Sequence, residues 1–187
     1  MIDPADLARL VESFSTLNDG MARKSQELVL RLLEQTPRPY SRKQFEPGHI
    51  TCTGLILHPD RDSFLLVHHH RLDRWLLPGG HVEAEDAQPW DTAIREVREE
   101  TGASIVSDVL PLAGIDVHGI PARKQEPYHL HHDLIFATRA LTAEASPTEE
   151  VRAVAWCEAG SHQASSLPES ILLSFSRALA LVPKARA

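Results

Sequence analysis

Apolar residues recur at helical spacing in four segments of this 187-residue chain. The first segment begins at Asp3-Pro4, a capping residue followed by the proline typical of a first helical turn, and extends to about Phe14. In the other three, apolar positions three and four residues apart form one face to be buried. The four predicted helices span residues 4–14, 21–34, 90–101 and 168–181.

Short runs of β-branched and apolar residues, several bounded by Pro, Gly or Asp, predict strands between these helices. The predicted strands cover residues 50–57, 64–67, 104–112, 115–117, 129–137 and 151–157. Strands and helices alternate without a regular βαβ repeat, which favours a mixed sheet packed between helices. The fold class is therefore α/β, with an N-terminal helical pair whose apolar faces dock on the body or on a second subunit.

Residues 129–137 alternate between two faces of their predicted strand. His129, His131 and Asp133 fall on one face, together with Ile135 and Ala137, because successive side chains of a strand point to opposite sides. The polar half of this face is typical of an active-site wall, and equally of a half-polar edge strand.

Composition and charge argue against several classes of function. With 26 acidic and 19 basic residues the formal net charge is −7, and a general nucleic-acid or acidic-membrane binder needs a basic surface instead. No stretch reaches the roughly 18 apolar residues of a membrane span, and a signal peptide is not apparent. Cys52 and Cys157 lie in apolar strands and are expected to be buried free thiols in a reducing compartment. We therefore expect a cytoplasmic protein.

Three glutamates share one arc of the third predicted helix. At about 100° per residue, Glu96 and Glu100 stack one turn apart and Glu99 lies beside them. Carboxylates at this spacing repel one another, so the arc needs a counter-charge. Carboxylate oxygens suit Mg²⁺, which retains several waters and bridges to substrate phosphates. The alternative is a solvated acidic face paired with Arg95 and Arg98.

Glycines flank this helix on both sides. Gly79 and Gly80 follow Pro78 and predict a sharp turn, or a close approach of the backbone to a ligand. Gly102 follows the last periodic residue, where a helix commonly ends. An acidic arc with glycines at both ends favours the metal-site interpretation over the solvated one.

The whole segment resembles the Nudix box, in which a glycine and a carboxylate precede Arg-Glu-apolar-x-Glu-Glu-x-Gly-apolar. The matching residues are Gly80, Asp86 (or Glu85), Arg95, Glu96, Val97, Glu99, Glu100, Gly102 and Ala103. There are two departures: the span from Gly80 to Arg95 is one residue longer than the common form, and Ala103 is smaller than the usual Ile, Leu or Val. The resemblance is strongest over residues 49–156. We assign residues 1–47 to a helical extension with a linker, and residues 48–187 to a Nudix domain.

The resemblance implies an α/β/α sandwich and a hydrolase that cleaves the pyrophosphate bond of a nucleoside diphosphate linked to another moiety. It also implies Mg²⁺, with Mn²⁺ as a substitute, bound by Glu96, Glu99, Glu100 and the carbonyl of Gly79. Arg95 would orient the carboxylates without touching the substrate.

Two roles stay open within the resemblance. The general base is Glu99 or Glu96, or a group outside the box, for which the candidates are Asp133, Glu126, Glu149, His129 and His131. Substrate contacts are expected from Gly80 and from the strand and loop that follow the box, with the candidates His129, His131, Asp133, Tyr128 and Arg123.

Two other functions also stay open. A degenerate box would favour a domain that binds a nucleotide-like ligand without catalysis, whereas this box retains its glutamates and its arginine. An isoprenoid diphosphate isomerase would need a reactive cysteine at the site, and Cys52 and Cys157 lie away from the box. For a hydrolase we expect a nucleotide-type small-molecule substrate, whose identity the sequence leaves open. A homodimer contact through the N-terminal helices also stays open.

Overall fold

Seven strands form one mixed sheet in the computed structural model, which describes residues 2–123 and 126–184. The main strand order is β3-β2-β1-β6-β5, with β4 paired to β1 and β7 paired to β2. Strands β1 and β6 run parallel along their whole length, and the other pairs are antiparallel. The strands are β1 (His49–Leu57), β2 (Phe64–His69), β3 (Arg74–Leu76), β4 (Gly79–His81), β5 (Leu112–Ile120), β6 (His129–Arg139) and β7 (Val151–Cys157).

Helices cover both faces of this sheet. They are α1 (Pro4–Ser13), α2 (Gly20–Gln35), α3 (Pro89–Thr101) and α4 (Glu169–Leu181), with a short 3₁₀ turn at Ala164–Ser166. Helix α4 packs on one face, where Phe175 contacts the core that contains Leu55 and Ile135. Helices α1, α2 and α3 pack on the other face, against the core that contains Cys52 and Leu134. The predicted α/β/α sandwich with a mixed sheet is confirmed.

The two N-terminal helices begin at aspartate caps. The side chain of Asp3 accepts a hydrogen bond from the amide of Ala5, and Asp19 accepts one from the amide of Ala22. Their apolar faces pack against the same core as Ile50. The buried side chains of this core that the two helices supply include Leu7, Val11, Val29 and Leu32. Burying a side chain of this size stabilises a fold by about 1.5–3 kcal/mol. The helices therefore dock on the body of the protein itself.

The third helix begins and ends where its sequence predicts. Pro89 is its first residue, and the carboxylate of Asp91 accepts hydrogen bonds from the amides of Ala87 and Gln88 at 3.1 and 2.8 Å. At the other end Gly102 adopts a left-handed conformation with φ of 62°, which glycine tolerates without strain. These caps fix the orientation of the side chains that the helix presents to the sheet edge.

Two expectations about the segments beside this helix are wrong. Residues 104–111 are a loop in which Ile105 forms an isolated bridge with Ala140, and only Leu112 of the predicted strand lies in a strand, as the first residue of β5. The reason is that Ser107 and Asp108 turn the chain before Pro111, which has no amide hydrogen. Gly79 and Gly80 form no turn: they belong to β4, which pairs with β1. Among the described helices, none combines the length and apolar character that a bilayer crossing requires.

Candidate active site

Helix α3 presents its glutamates to three different surroundings. The side chain of Glu96 is 12% exposed and that of Glu99 is 46% exposed, whereas Glu100 is a buried residue. The expectation of a single polar arc is therefore wrong for Glu100. The reason is that β4 crosses this end of the helix, so that the strand covers the position one turn after Glu96.

A carboxylate cluster forms where Glu96 and Glu100 meet Glu150. Each offers an oxygen, and the three oxygens all lie within 4.8 Å of one another. Glu150 directly precedes β7, and the antiparallel pairing of β7 with β2 places it beside the helix. Burial and the nearby Glu96 charge raise the pKa of Glu100 to about 8, against a hydrogen bond from Gly79. The oxygens of the three carboxylates fit a hard divalent cation, which would offset the repulsion between them.

Close approach of β4 to this cluster explains the two glycines. The amide of Gly79 donates to Oε2 of Glu100 at 3.1 Å. A Cβ at Gly80 would lie 2.3 Å from Oε1 of Glu96, which is shorter than any real contact. A side chain at Gly80 would therefore displace Glu96, and the strand reaches the cluster only because this position is glycine.

Arg95 holds two of the glutamates in place. One guanidinium nitrogen donates to Oε1 of Glu96 at 2.9 Å and to Oε2 of Glu99 at 3.0 Å. The other donates to the backbone carbonyl of His81 at 2.9 Å. A planar guanidinium with several fixed donors can hold these groups at once, whereas a lysine ammonium cannot reproduce the same fork.

The Arg95 guanidinium also forms an ion pair with Asp86. This carboxylate is buried and also accepts from the hydroxyl of Thr92 at 2.7 Å and from the amide of Glu83 at 2.9 Å. Burial by itself raises the pKa of Asp86, but the hydrogen bonds from Arg95, Glu83 and Thr92 outweigh it and leave the pKa lowered. Of the two carboxylates that the sequence leaves open, Asp86 is the one that contacts Arg95.

An open cleft leads to the carboxylate cluster from solvent. It has a volume of about 540 Å³, and Arg71 is the basic residue of its lining. It is lined by His69, His70, Arg71, Glu100, Glu149 and Glu150. Two of the three adjacent histidines at the end of β2, His69 and His70, therefore border the cleft, and the third, His68, packs its ring on Trp75.

On the opposite side of β4 lies a histidine cluster made of His49, His81, His129 and His131. Register places them together: His49 pairs with His131 across the parallel strands, and His81 pairs with Thr51. Neighbouring ring centroids are 4.9 to 5.2 Å apart. Burial, with smaller contributions from nearby charges, lowers the pKa of His131 to about 2 and that of His81 to about 3, so both rings are neutral at neutral pH.

Asp133 lies on the same face as these histidines, but its carboxylate is hydrogen-bonded to side chains of the adjacent strand β1. Its Oδ1 accepts hydrogen bonds from the hydroxyls of Thr51 and Thr53, both at 2.9 Å. Burial raises its pKa, opposed by the nearby His118 and the two hydroxyls. Asp133 therefore contributes to the packed part of this face.

Two other expected substrate contacts lie in the turn between β5 and β6. Arg123 is exposed, and its amide and carbonyl form a bridge with Glu126 at 2.8 Å. Tyr128 is 63% exposed, and its ring covers Gly119 of β5. The structure thus brings Gly80, His129 and His131 towards the two clusters, while Tyr128, Arg123 and Glu126 remain at the hairpin end.

Both cysteines are free and buried, as expected. Burial raises the pKa of the Cys52 thiol well above its ordinary value, and the nearby Asp133 raises it further. Burial also raises the pKa of Cys157. A reactive thiolate needs the opposite shift, so neither residue fits the cysteine of an isomerase.

Three residues of these sites were absent from the sequence-based candidates: Glu150, His49 and His81. Glu150 is one residue from the candidate Glu149, and only the strand register distinguishes the two. His49 and His81 are each isolated histidines followed by an apolar residue. No sequence spacing links either of them to residues 129–131. The one available signal was the high histidine content, 11 residues in 187.

Comparison with known proteins agrees with this architecture. The family described as NUDIX domain matches residues 48–170. The probable DHNTP pyrophosphohydrolase of Lactococcus lactis subsp. cremoris (strain MG1363) is 27% identical over 140 residues, which is 72% of this chain and 82% of that protein.

Two solved structures are similar in fold. The MutT protein from Methanosarcina mazei Go1 gives a TM-score of 0.51 at 24% identity, over 70% of this chain and 92% of that chain. The NUDIX domain of Shewanella oneidensis NrtR complexed with ADP ribose gives a TM-score of 0.51 at 18% identity, over 74% and 92%. With a family match over more than half of its length, a box on α3 and a pyrophosphohydrolase among its relatives, this chain belongs to the Nudix family.

Proposed function

We propose that this protein is a divalent-metal-dependent pyrophosphohydrolase whose substrate is a nucleoside diphosphate linked to another moiety. The observation that carries the proposal is the carboxylate cluster of Glu96, Glu100 and Glu150 beside the backbone of Gly79. Three convergent acidic oxygens, facing a solvent cleft that contains Arg71, match the needs of a diphosphate bound through a metal ion.

The cluster is suited to Mg²⁺, or to Mn²⁺ as a substitute. A bound divalent ion would neutralise diphosphate charge and lower the pKa of a coordinated water. We assign Glu96, Glu100 and Glu150 as ligands from the protein, with the Gly79 carbonyl as a further ligand. Glu99, which the sequence also favours, reaches the site through Arg95 and stays a candidate ligand or base.

Arg95 acts as a positioning residue in this proposal. It contacts Glu96 and Glu99 at about the distance of a strong charge-assisted hydrogen bond and is itself held by Asp86. A residue that fixes a metal ligand from behind typically alters metal affinity or activity by about 10–100-fold when it is changed.

The contacts favour some general-base candidates over others. Glu149 lines the cleft together with Glu100, and Glu99 is half exposed beside it, so either can hold a water near the diphosphate. Asp133 accepts two threonine hydroxyls on the opposite face of the sheet, and Glu126 lies in the hairpin turn. We therefore propose Glu149 or Glu99 as the base.

The substrate class follows from the family and its relatives. Relatives and solved homologues are described as a probable DHNTP pyrophosphohydrolase and as a domain complexed with ADP ribose. Both names fit a compound in which a diphosphate joins a heterocyclic nucleoside-like part to another group. We propose this class for the present chain, with Gly80 and His131 as the expected substrate contacts nearest to the two clusters.

A product-release screen tests the proposal. Purified protein is incubated with Mg²⁺ or Mn²⁺ and with DHNTP, ADP-ribose, nucleoside triphosphates, oxidised nucleotides, dinucleoside polyphosphates or nucleotide sugars. Products are separated chromatographically, and Glu100→Gln serves as the blank. Metal-dependent cleavage of one class that the variant lacks would support the proposal. Silence across the panel with folded protein would favour a domain that binds ligands without hydrolysing them.

A further inference from the structure

Three imidazoles of the histidine cluster have no catalytic or metal-binding role in the proposed hydrolysis, in which only His131 is a proposed substrate contact. His49, His129 and His131 each offer a ring nitrogen, and these nitrogens all lie within 4.8 Å of one another. They come from the N-terminal ends of β1 and β6. The ring of His81, from β4, lies 5.0 Å from that of His49 and 5.2 Å from that of His131, between centroids.

Backbone carbonyls fix the tautomers of two of these rings. Nδ1 of His49 is 3.0 Å from the carbonyl oxygen of Gln44, and Nδ1 of His129 is 2.9 Å from that of Pro127. A carbonyl only accepts hydrogen bonds, so each Nδ1 carries the hydrogen. In the neutral form of each ring, the Nε2 atom is then left with a lone pair. This is the arrangement found around histidines that bind metals, where the second nitrogen donates to a carbonyl or carboxylate.

The cluster is also enclosed, and part of it has no partner. His49 is 1% exposed and His129 is 5% exposed. Nε2 of His49 is buried without any hydrogen-bond partner among the described residues. A buried polar nitrogen normally has a partner, because removing it from water otherwise costs free energy. The orphaned atom therefore points to a ligand that completes the site.

We propose that His49, His129 and His131 bind a borderline transition-metal ion such as Zn²⁺ at a site separate from the carboxylate cluster. Imidazole suits Zn²⁺, whereas Mg²⁺ prefers oxygen ligands. In a tetrahedral site two Zn–N bonds of about 2.0–2.1 Å place their nitrogens about 3.3 Å apart, so rotation of the rings would have to bring nitrogens that lie within 4.8 Å of one another closer by at most about 1.5 Å. The fourth position of a tetrahedral ion is open to His81 or to a water molecule.

Strand β4 separates the two proposed metal sites. A side chain at Gly80 would point at Glu96, whereas the His81 ring, one residue further on, contacts the rings of His49 and His131. An ion in the histidine cluster would link β1 to β6 beside β4. The proposal does not depend on which substrate is hydrolysed, or on hydrolysis itself.

Zinc binding by the full chain tests the proposal. The protein is treated with a chelator, dialysed and titrated with Zn²⁺ in the presence of excess Mg²⁺, which occupies oxygen sites. Bound zinc is measured calorimetrically and by elemental analysis. We expect one Zn²⁺ per chain, and we expect His129→Ala and His131→Ala each to weaken its binding by about 100-fold or more. His70→Ala, at an exposed histidine outside the cluster, should bind as the wild type does.

Two controls keep the test decisive. The double variant Glu96→Gln, Glu100→Gln should retain the zinc, and loss of zinc there with retention in His131→Ala would overturn the proposal by placing the ion at the carboxylates. The second control is the visible spectrum of wild-type protein loaded with Co²⁺, which does not depend on the folding of any variant. Intense absorption typical of four- or five-coordinate nitrogen ligation is expected, and weak octahedral absorption, or no binding at all, would show that the imidazoles simply pack together.

Discussion

The carboxylate cluster and the histidine cluster lie on either side of β4, and burial acts on them in opposite ways. Removal from water raises the pKa of Glu100 to about 8 and lowers the pKa of His131 to about 2. In each case burial disfavours the charged form, which is the basic form of a carboxyl group and the acidic form of an imidazole. Glu100 therefore needs a cation in order to be charged at neutral pH, whereas His131 is neutral without one.

The two clusters also differ in how the chain assembles them. Glu96 and Glu100 are one turn apart on α3, so a single helix brings them together, and only Glu150 comes from elsewhere. His49, His81 and His131 come from three strands, and only the register of the sheet makes them neighbours. Local spacing thus encodes the first cluster, and the global fold encodes the second.

Replacement of Glu100 by glutamine should give the largest effect and separate the two clusters most clearly. Glutamine retains the shape of the side chain and a carbonyl oxygen that can accept the hydrogen bond from Gly79, so the fold should persist. It removes the charge that a divalent ion requires, and metal-dependent turnover should fall by at least about 100-fold. Steady-state kinetics with the best substrate of the screen, together with a thermal melt, measure both.

This substitution is expected to affect the carboxylate cluster and not the histidine cluster. Glu100→Gln should abolish activation by Mg²⁺ and leave Zn²⁺ binding in the histidine cluster unchanged. Activity within about two-fold of the wild type in the variant would remove Glu100 from the metal site and would make the carboxylate cluster a structural feature only.

Arg95→Lys should give the next largest effect, because it keeps the positive charge but loses the planar guanidinium that contacts several groups at once. The lysine ammonium cannot hold Glu96, Asp86 and the His81 carbonyl together as the guanidinium does. We expect kcat to fall by about 10–100-fold, with a rise in the Mg²⁺ concentration needed for half-maximal activity. A rise in KM for substrate with unchanged kcat and unchanged Mg²⁺ dependence would instead make Arg95 a substrate-binding residue.

Most of the fold could be predicted from the sequence, because its signals are local. The four helices follow from periodic apolar positions and from caps such as Asp3 and Asp19, and the parity of β6 places His129 and His131 on one face. The segment 104–111 could not be predicted as a loop from its apolar content, since the bend at Ser107 and Asp108 outweighs the strand propensity of its valines.

The candidate site was predictable only in its helical part. Helical spacing identifies Glu96, Glu99 and Glu100 together, but not that β4 buries Glu100 and leaves Glu99 half exposed. That difference depends on the pairing of Gly79 and Gly80 with β1, which no local pattern records. The glycines were expected to turn the chain or to let the backbone approach a ligand closely. They form no turn, and Gly80 allows a strand to pass close to Glu96.

A smaller effect should distinguish Glu150 from its neighbour. Among the described residues only Glu150 of this pair has an oxygen in the carboxylate cluster, whereas Glu149 borders the cleft. Glu150→Gln should raise the Mg²⁺ concentration for half-maximal activity by about 10-fold, since Glu150 is exposed and its loss can be partly replaced by water. Glu149→Gln should leave that concentration unchanged, and should lower kcat if Glu149 is the general base. Equal metal dependence in both variants would remove Glu150 from the ligand set.

The smallest effect on metal binding and activity is expected at Asp19, which lies far from both clusters. A variant at this position serves as a control for both sites. Asp19 is buried at the start of α2, where it accepts from the amide of Ala22 and forms an ion pair with Arg177 of α4. Burial raises its pKa, but the Ala22 amide and Arg177 outweigh it and leave the pKa below the ordinary value of 3.8. The ionised carboxylate therefore stabilises the fold at neutral pH, and that contribution is lost as the pH falls below 3.8 and through the lowered pKa of the folded state.

Asp19→Asn isolates the ion pair, because asparagine is also a good helix cap. At pH 7 the variant should be less stable than the wild type by about 1–2 kcal/mol, measured by urea denaturation. The difference should shrink as the pH is lowered below about 3.8, since the wild type then loses the charge that the variant never had. Metal dependence and zinc binding should both match the wild type. A difference in stability that stays constant down to pH 3 would mean that the variant acts through packing. A change in metal dependence or zinc binding would mean that loss of stability alone can mimic the effects expected at the two clusters.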